Sequence, residues 1–581
     1  MRPEQRGFAR KRISIVGILA AGALAAGLLT SCSDDEQVPS IGYLIDNPIT
    51  TYNGNTIDGA YSGAAQAFPR VLTGMSYIGP QGDPVANPDF GTANEVPGGE
   101  ANVLTIQYRL NNAAVYSDGV PTSCEDLVLA WAALSGKFTK ADDEGRLVPM
   151  FNAGARPGYS DIERVDCQPG SKDATVVFRP GRKFVDWKSL FSATEVMPAH
   201  IATQAAGVGS IATVVQSGDN EAVGKVADFW NNGWKLKPNE IDPSVFVSSG
   251  PYRVESFSES GELVLVENDK WWGAKPATPR IVVFGKGADV LDEIDSGAVD
   301  VIDIGANSVA DLPLDGLKAT NMPSRSTEQL VLGTGGVFAS ADMRKALALC
   351  SPRQKLYDDV GHPDYKPEAG LGSGVLNSRI VSQDSLMYGP ASVEGGKYPG
   401  ADVPAAQGAV AASGAQAPTV RIGYLAPDER RAETVKAIAD ACGPAGIKVE
   451  DVSSPTFAPT ALLEGQVDAV LGGTASVSGP AGSMLNGPSL SALRSGSATN
   501  YGRFTNPRYD QIVDQLLTDP ATQAQLNLSV EAEALLWSEM PSIPLFDVPR
   551  TVAFADGLDA GIANPTRSGA GWNMDRWVLH S

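Results

Sequence analysis

The side chains able to do covalent or metal chemistry are few: five cysteines, three histidines and scattered serines. His200, His362 and His580 stand far apart and no CxxC occurs, so zinc, haem and nickel sites are not expected. The stretch "GTASVSG" sets serines among glycines, but it is not the nucleophile elbow G-x-S-x-G and has no histidine nearby. The carboxylate pairs Asp34–Asp35 and Asp358–Asp359 are adjacent on flexible or helical segments, where solvated charge is commoner than acid–base work. The expectation is a protein with no catalytic residue, no metal and no cofactor. What remains is recognition, together with cysteine chemistry of a non-catalytic kind.

Cys32 stands apart from the other cysteines. Arg2, Arg6, Arg10, Lys11 and Arg12 form a cationic head, and Ile13 to Leu29 is an apolar run, the pattern of an export signal. Leu29-Thr30-Ser31-Cys32 then resembles a bacterial lipobox, in which the thiol receives a diacylglycerol and cleavage leaves the cysteine as the new amino terminus. Residues 1–31 read as a lipoprotein signal peptide and 32–40 as a polar tether, with the membrane as partner through lipid on Cys32. Removing the head's five basic residues and one acidic residue takes the formal charge from −22 to about −26. Such a chain repels phosphates, so nucleic acid is not a partner. No later apolar run is long enough to span a bilayer. Hydrophobic residues at 43% over this length imply a globular body of two or more subdomains. Cys124, Cys167, Cys350 and Cys442 remain, an even number that in an exported protein points to disulfides. Three pairings are open, and four buried free thiols are the alternative.

Short β-rich runs alternate with helical ones. "SIGYLID", "NVLTIQYRL" at 102–110, "ATVVFRP" and "ELVLVEN" read as strands by alternation and β-branched content. Thr122 to Leu134 reads as a helix capped by Thr122 or Ser123, and 342–350, 508–518 and 525–539 follow the helical period. The Ala/Gly/Pro-rich stretch from about 390 to 418 is either a linker or a short helix ended by Gly414. The strand and long helical run that follow at once favour the helix.

Several of these segments carry recognisable motifs. "YSDGVPTSCEDL" (116–127), "SSGPYRV" (248–254), "NDKWWGAKP" (268–276), "SGAVDVID" (296–303), "ADMRKALALCSPRQKL" (341–356) and "PSIPLFDV" (541–548) follow one another in this order. Together they resemble the extracytoplasmic solute-binding proteins of peptide/nickel-type ABC importers, solute-binding family 5; "VMPAHI" (196–201) fits a turn of the same relatives. The resemblance implies an α/β, two-lobe periplasmic-binding-protein-like fold of the large, cluster C type, with an inserted subdomain in lobe I. Lobe I would comprise 41–80, 195–315 and 550–581, the insertion 81–194, and lobe II 316–549. That division favours Cys124–Cys167 and Cys350–Cys442, since each pair then falls inside one lobe. It also implies a monomer on the extracytoplasmic face of the cell membrane that binds a peptide or other small solute and docks on an ABC permease and ATPase complex. Some actinobacterial relatives of this fold are tied to cell-wall glycolipid assembly, which is the alternative role.

Peptide receptors of this family commonly hold the peptide's ammonium with an aspartate in lobe II. The matching stretch, Val467 to Gly487, has no acidic residue after Asp468, which itself matches the strand start. Gly472, Gly473, Thr474, Ser476 and Ser478 offer amides and hydroxyls instead, suited to a neutral, polyhydroxylated or anionic ligand; a loop that merely permits closure is the alternative. In lobe I, Tyr52 and Asn53 of "PITTYNGNT" are the expected stacking and hydrogen-bonding residues, against a surface turn. Trp271 and Trp272 are expected to pack the lobe and His200 to be structural.

Overall fold

The computed structural model describes residues 38–580 except 98–101, 143–144, 155–156, 288, 366, 368–369 and 474–486. The early strands are β1 (Ser40–Ile45), β2 (Gly91–Glu95), β3 (Thr105–Leu110), β4 (Ile162–Cys167) and β5 (Asp173–Phe178). Then come β6 (Tyr252–Phe257), β7 (Glu262–Glu267), β8 (Arg280–Phe284), β9 (Val301–Gly305) and β10 (Leu317–Leu332). The last four are β11 (Thr419–Gly423), β12 (Lys448–Asp451), β13 (Ala469–Gly473) and β14 (Ser542–Ala555). Among the described residues, ten of these strands form one mixed sheet in the order β6-β7-β8-β1-β9-β14-β10-β13-β11-β12.

One lobe is built on β1 and β6 to β9, the other on β11 to β13. β1 runs parallel to β8 and β9 at the centre of the first lobe and is buried on both faces. Its alternation splits the interior in two. Ile41, Tyr43 and Ile45 join the large core, while Leu44 packs with Phe284, Ile302 and Ile304 on the opposite face. A separate sheet, β2-β3-β5-β4, lies within the segment expected as an insertion, and its buried face shares the large core through Ile106 and Val176. Helix α1 (Cys124–Leu134) packs against it. Ser123 caps α1, with Asp126 closing the reciprocal bond of a capping box.

The second lobe sets α2 (Ala341–Cys350), α3 (Val403–Ser413) and α4 (Glu429–Cys442) around β11 and β13. α3 ends where Gly414 takes φ 73°, a left-handed cap that favours glycine, so the Ala-rich stretch is a helix inside this lobe rather than a linker. Disulfides join Cys124 to Cys167 and Cys350 to Cys442, the pairing that the resemblance implies. The first ties the start of α1 to the end of β4. The second ties the ends of α2 and α4 across the second core. Helices α5 (Pro507–Leu516) and α6 (Thr522–Glu539), expected wholly in lobe II, touch both sides. Tyr509, Ile512 and Leu536 belong to the large core, Trp537 to the second, and Arg182 pairs with Asp514 at 3.1 Å.

β10 and β14 run the length of both lobes as one antiparallel pair. Leu317–Pro323 pairs with Pro549–Ala555 beside β9, and Thr327–Val331 pairs with Ser542–Asp547 beside β13. The register breaks between these halves, where Pro323 stands opposite Pro549. Neither proline has an N–H, so the ladder loses its bonds where the lobes meet.

Asp547 lies beside this break, 5% exposed, accepting a hydrogen bond from Gly372 N at 2.8 Å. Burial raises its pKa from 3.8 to about 7; the Gly372 N–H opposes the rise and Asp384 adds to it. The native state therefore holds a proton that the unfolded chain releases near pH 4. The stability this group contributes is fully present below that value and is lost as pH rises through about 7. Asp547→Asn keeps an acceptor for Gly372 without the charge. It should melt higher than the parent at pH 8, by an amount reflecting ~2–4 kcal/mol, and the two proteins should melt together at pH 4, read by calorimetric scans across that range.

Candidate functional site

In an open α/β sheet, ligands settle at the carboxyl ends of the parallel strands. β1, β8 and β9 end side by side, and the residues that leave them, Asp46, Lys286 and Gly305, line a cavity of about 590 Å³. From the other lobe β11 and β13 bring Leu425 and Gly472 to the same space, while Ser324, Ser326 and Val548, at the ladder break, also line it. The cavity therefore lies between the lobes.

Its apolar end is shared. Tyr61 of the first lobe meets Tyr501 of the second edge to face, ring centroids 5.6 Å apart, in one cluster with Ile57, Phe457 and Leu462. Its polar end is built from ions that are largely paired. Arg550 donates from Nε to Asp303 Oδ1 at 2.7 Å and from Nη1 to Asp46 Oδ2 at 3.3 Å. Burial works against the Arg550 charge, but Asp303 and Asp46 outweigh it and raise the guanidinium pKa. Across the cleft the Glu328 carboxylate, fully buried, accepts from Arg430 Nη1 and Arg431 Nε. Burial would raise its pKa; the guanidinium groups of Arg431 and Arg430 prevail and hold it low. Asp428 caps α4 by accepting from Arg431 N at 3.0 Å.

The lobes also touch directly. The α4 amides of Glu429 and Arg430 donate to the carbonyls of Ser308 and Asn307, after β9, at 3.3 and 3.1 Å. Lys286 Nζ reaches the Leu425 carbonyl at 3.4 Å. Burial lowers the Lys286 pKa, with Asp428 pulling it back up and Arg431 lowering it further.

The residues nominated from sequence fall differently. Tyr52 and Asn53 are not cavity residues, nor do they form a surface turn: both are 1% exposed. Tyr52 donates to the Val247 carbonyl at 2.8 Å between the Phe68 and Phe246 rings, and Asn53 Nδ2 donates to the Trp230 carbonyl at 3.0 Å. The same segment meets the cavity through Pro48, Thr50, Thr51 and Thr56, and Ile57 and Asp58 just beyond it do so too. Thr474, Ser476 and Ser478 lie outside the described residues, as does Cys32; neighbouring Gly472 lines the cavity. Asp468 is held by Arg421 at 2.9 Å, so it is structural. Trp271 and Trp272 form a half-buried tilted pair, Trp272 Nε1 donating to Asp89 O, away from the cavity. His200 bonds Asp118 Oδ2 at 3.0 Å beside the Tyr116 ring. Lys286, Arg430, Arg431, Tyr61 and Tyr501 were not nominated. For Lys286 a signal existed, because it follows a parallel strand directly.

A family model described as bacterial extracellular solute-binding proteins, family 5 Middle, matches residues 97–492. An uncharacterized lipoprotein of Mycobacterium tuberculosis is 40% identical, covering 98% of this chain and 99% of the relative. The oligopeptide-binding protein OppA of the same species is 22% identical over 86% of this chain and 78% of its own. Among solved structures, the periplasmic EDTA-binding protein EppA has a TM-score of 0.73 at 20% identity, over 96% of this chain and all of that one. The oligopeptide-binding protein AppA of Bacillus subtilis, solved with a nonapeptide, has 0.70 at 13% identity, over 94% of this chain and all of that one. These likenesses give the two-lobe binding-protein fold.

The polar end makes one substitution informative. Glu328→Gln leaves the shape intact but strands the buried Arg430 charge beside Arg431. Unfolding in urea should show a loss of about 3–5 kcal/mol, against little change for an exposed pair such as Lys225–Glu221.

Proposed function

From the premise that the chain belongs to the bacterial extracellular solute-binding proteins of family 5, a family of binding proteins rather than enzymes, we propose that it is the lipid-anchored receptor of an ABC importer. It captures a peptide or related solute between its lobes and delivers it to the permease and ATPase at the extracytoplasmic face of the membrane. The observation that carries this reading is the interlobe cavity, walled from both lobes and spanned by a strand pair whose ladder is broken at Pro323 and Pro549. Closure pivots at that break, and a solute bridging the walls stabilises the closed population. The lobe boundaries belong to the same proposal, with the change of lobe falling within 323–327 and again within 547–549. Support for the solute class comes from the oligopeptide-binding relative and from the binding protein solved with a nonapeptide. Support for the anchor comes from the lipobox at Cys32 and from the relative's description as a lipoprotein.

Mass spectrometry of the full chain purified from membranes tests both parts. The mature amino terminus should be Cys32 carrying acyl mass, and native spectra should show a small adduct that denaturation releases. An amino terminus at Met1, or a native mass equal to the denatured one under all growth conditions, would contradict the reading.

A further inference from the structure

The proposed function leaves the chemistry of the solute open, and the cavity's charges speak to it. Six cationic side chains line the wall against three carboxylates, with Glu328 and Asp303 behind it, in a chain whose formal charge is −22. A positive balance here runs against the charge of the whole molecule. Most of these ions are committed: Arg550 to Asp303 and Asp46, Arg431 to Glu328 and Asp428, Arg430 to Glu328. Among the described residues, three charged wall residues have no ion-pair partner: Lys235, Lys286 and Asp58.

Of these Lys286 is the one held in place. Its amide donates to the Asn47 carbonyl at 3.2 Å and its ammonium has the single long bond to Leu425 O, so two of its three donors make no bond to the protein in a half-buried setting. The nearest carboxylates that act on it, Asp428 and Asp46, are taken by Arg431 and Arg550. Arg430, 1% exposed, keeps its Nε–H without an acceptor, a cost that burial normally forbids. Lys235 is bridged to Thr51 on the same segment that carries Asn47, so both unpaired ammonium groups flank residues 47–51. Asp58 is exposed, and water already serves it.

We propose that the cavity takes its solute by a carboxylate, seated on the Lys286 ammonium beside Arg430 and Arg431, with the rest of the solute lying along Tyr61, Phe457 and Tyr501. The proposal rests on the cavity being the solute site. A carboxylate supplies the charged acceptor that Lys286 lacks, and charge-assisted bonds to it are about twice as strong as neutral ones. A protonated amine would be repelled by this ammonium, and a neutral sugar would offer it only weaker, uncharged acceptors. Whether the carboxylate belongs to a peptide's end or to a small polycarboxylate, the chemistry at Lys286 is the same.

The test uses the mature chain stripped of endogenous solute and three probes in calorimetry: a random tripeptide-to-pentapeptide pool, the same pool as carboxamides, and citrate. The parent should bind the free-acid pool at least tenfold more tightly than the carboxamides, a difference within the strength of one charge-assisted bond. Lys286→Met should erase that difference while leaving the melting temperature of the unliganded protein unchanged, and Lys235→Met should preserve it. Binding of citrate alone, lost in Lys286→Met, upholds the carboxylate anchor and refutes the peptide reading. Equal binding of acid and carboxamide pools, discrimination that survives in Lys286→Met, or no binding of any carboxylate would each overturn the proposal.

Discussion

Two lobes share one sheet here because a single antiparallel strand pair, β10 with β14, carries its hydrogen-bond ladder from one to the other. Every other feature of the cleft is arranged about that pair. A continuous ladder would lock the lobes into one body, since each backbone bond resists shear. Opposed prolines at 323 and 549 remove both donors at the level of the break, so the connection stays covalent and paired on both sides while the middle loses stiffness. Ser324 is itself buried, and the Arg325 amide turns out of the ladder to the Pro565 carbonyl. The break is thus held by specific bonds and is not a frayed end.

The rigidity of each lobe follows from different means. The first relies on size: one core runs from β1 through the β2–β5 sheet and α1. The second has a smaller core, clasped by the Cys350–Cys442 bond over a sequence separation of 92 residues. Closing so long a loop removes conformational freedom from the unfolded chain, worth ~4–5 kcal/mol in the chain-entropy model. Around the cavity the buried charges are paired within each lobe, Arg550 with Asp303 on one side and Glu328 with Arg430 on the other. Pairing within lobes lets them separate without exposing an uncompensated ion. The links that do cross include backbone bonds from α4, the Lys286 bond, the Tyr61–Tyr501 contact and the Arg182–Asp514 ion pair.

Much of the fold was legible because its motifs are structural. In "SSGPYRV", Gly250 passes so close to the Arg70 carbonyl that a Cβ would stand 2.4 Å from the oxygen, and Ser248 Oγ donates to the Val71 carbonyl at 2.7 Å. In "YSDGVPTSCEDL", Ser123 and Asp126 cap a buried helix. Such residues mark a family because the backbone has no alternative there. The length of β14 was hidden by Pro544 and Pro549, which read as strand breakers although they sit within the observed ladder. β10 was hidden by its polar first half. The cleft was harder still. "PITTYNGNT" was the right segment, but which of its side chains turn inward is set by the Phe68, Trp230 and Val247 environment, contributed by residues far along the chain. Arg430 and Arg431 were legible only as part of a long helical run; their partner Glu328 lies about 100 residues away in the chain.

The central claim is that a solute draws the two lobes together across the broken ladder. The direct measurement is the distance between spin labels on exposed Leu291 of the first lobe and Val452 of the second, each replaced by cysteine in a soluble chain lacking Cys32, by pulsed electron resonance. The account predicts a long, broad distribution for protein stripped of solute and a short, narrow one when the extracted solute is restored. A distribution that is the same with and without solute would contradict it.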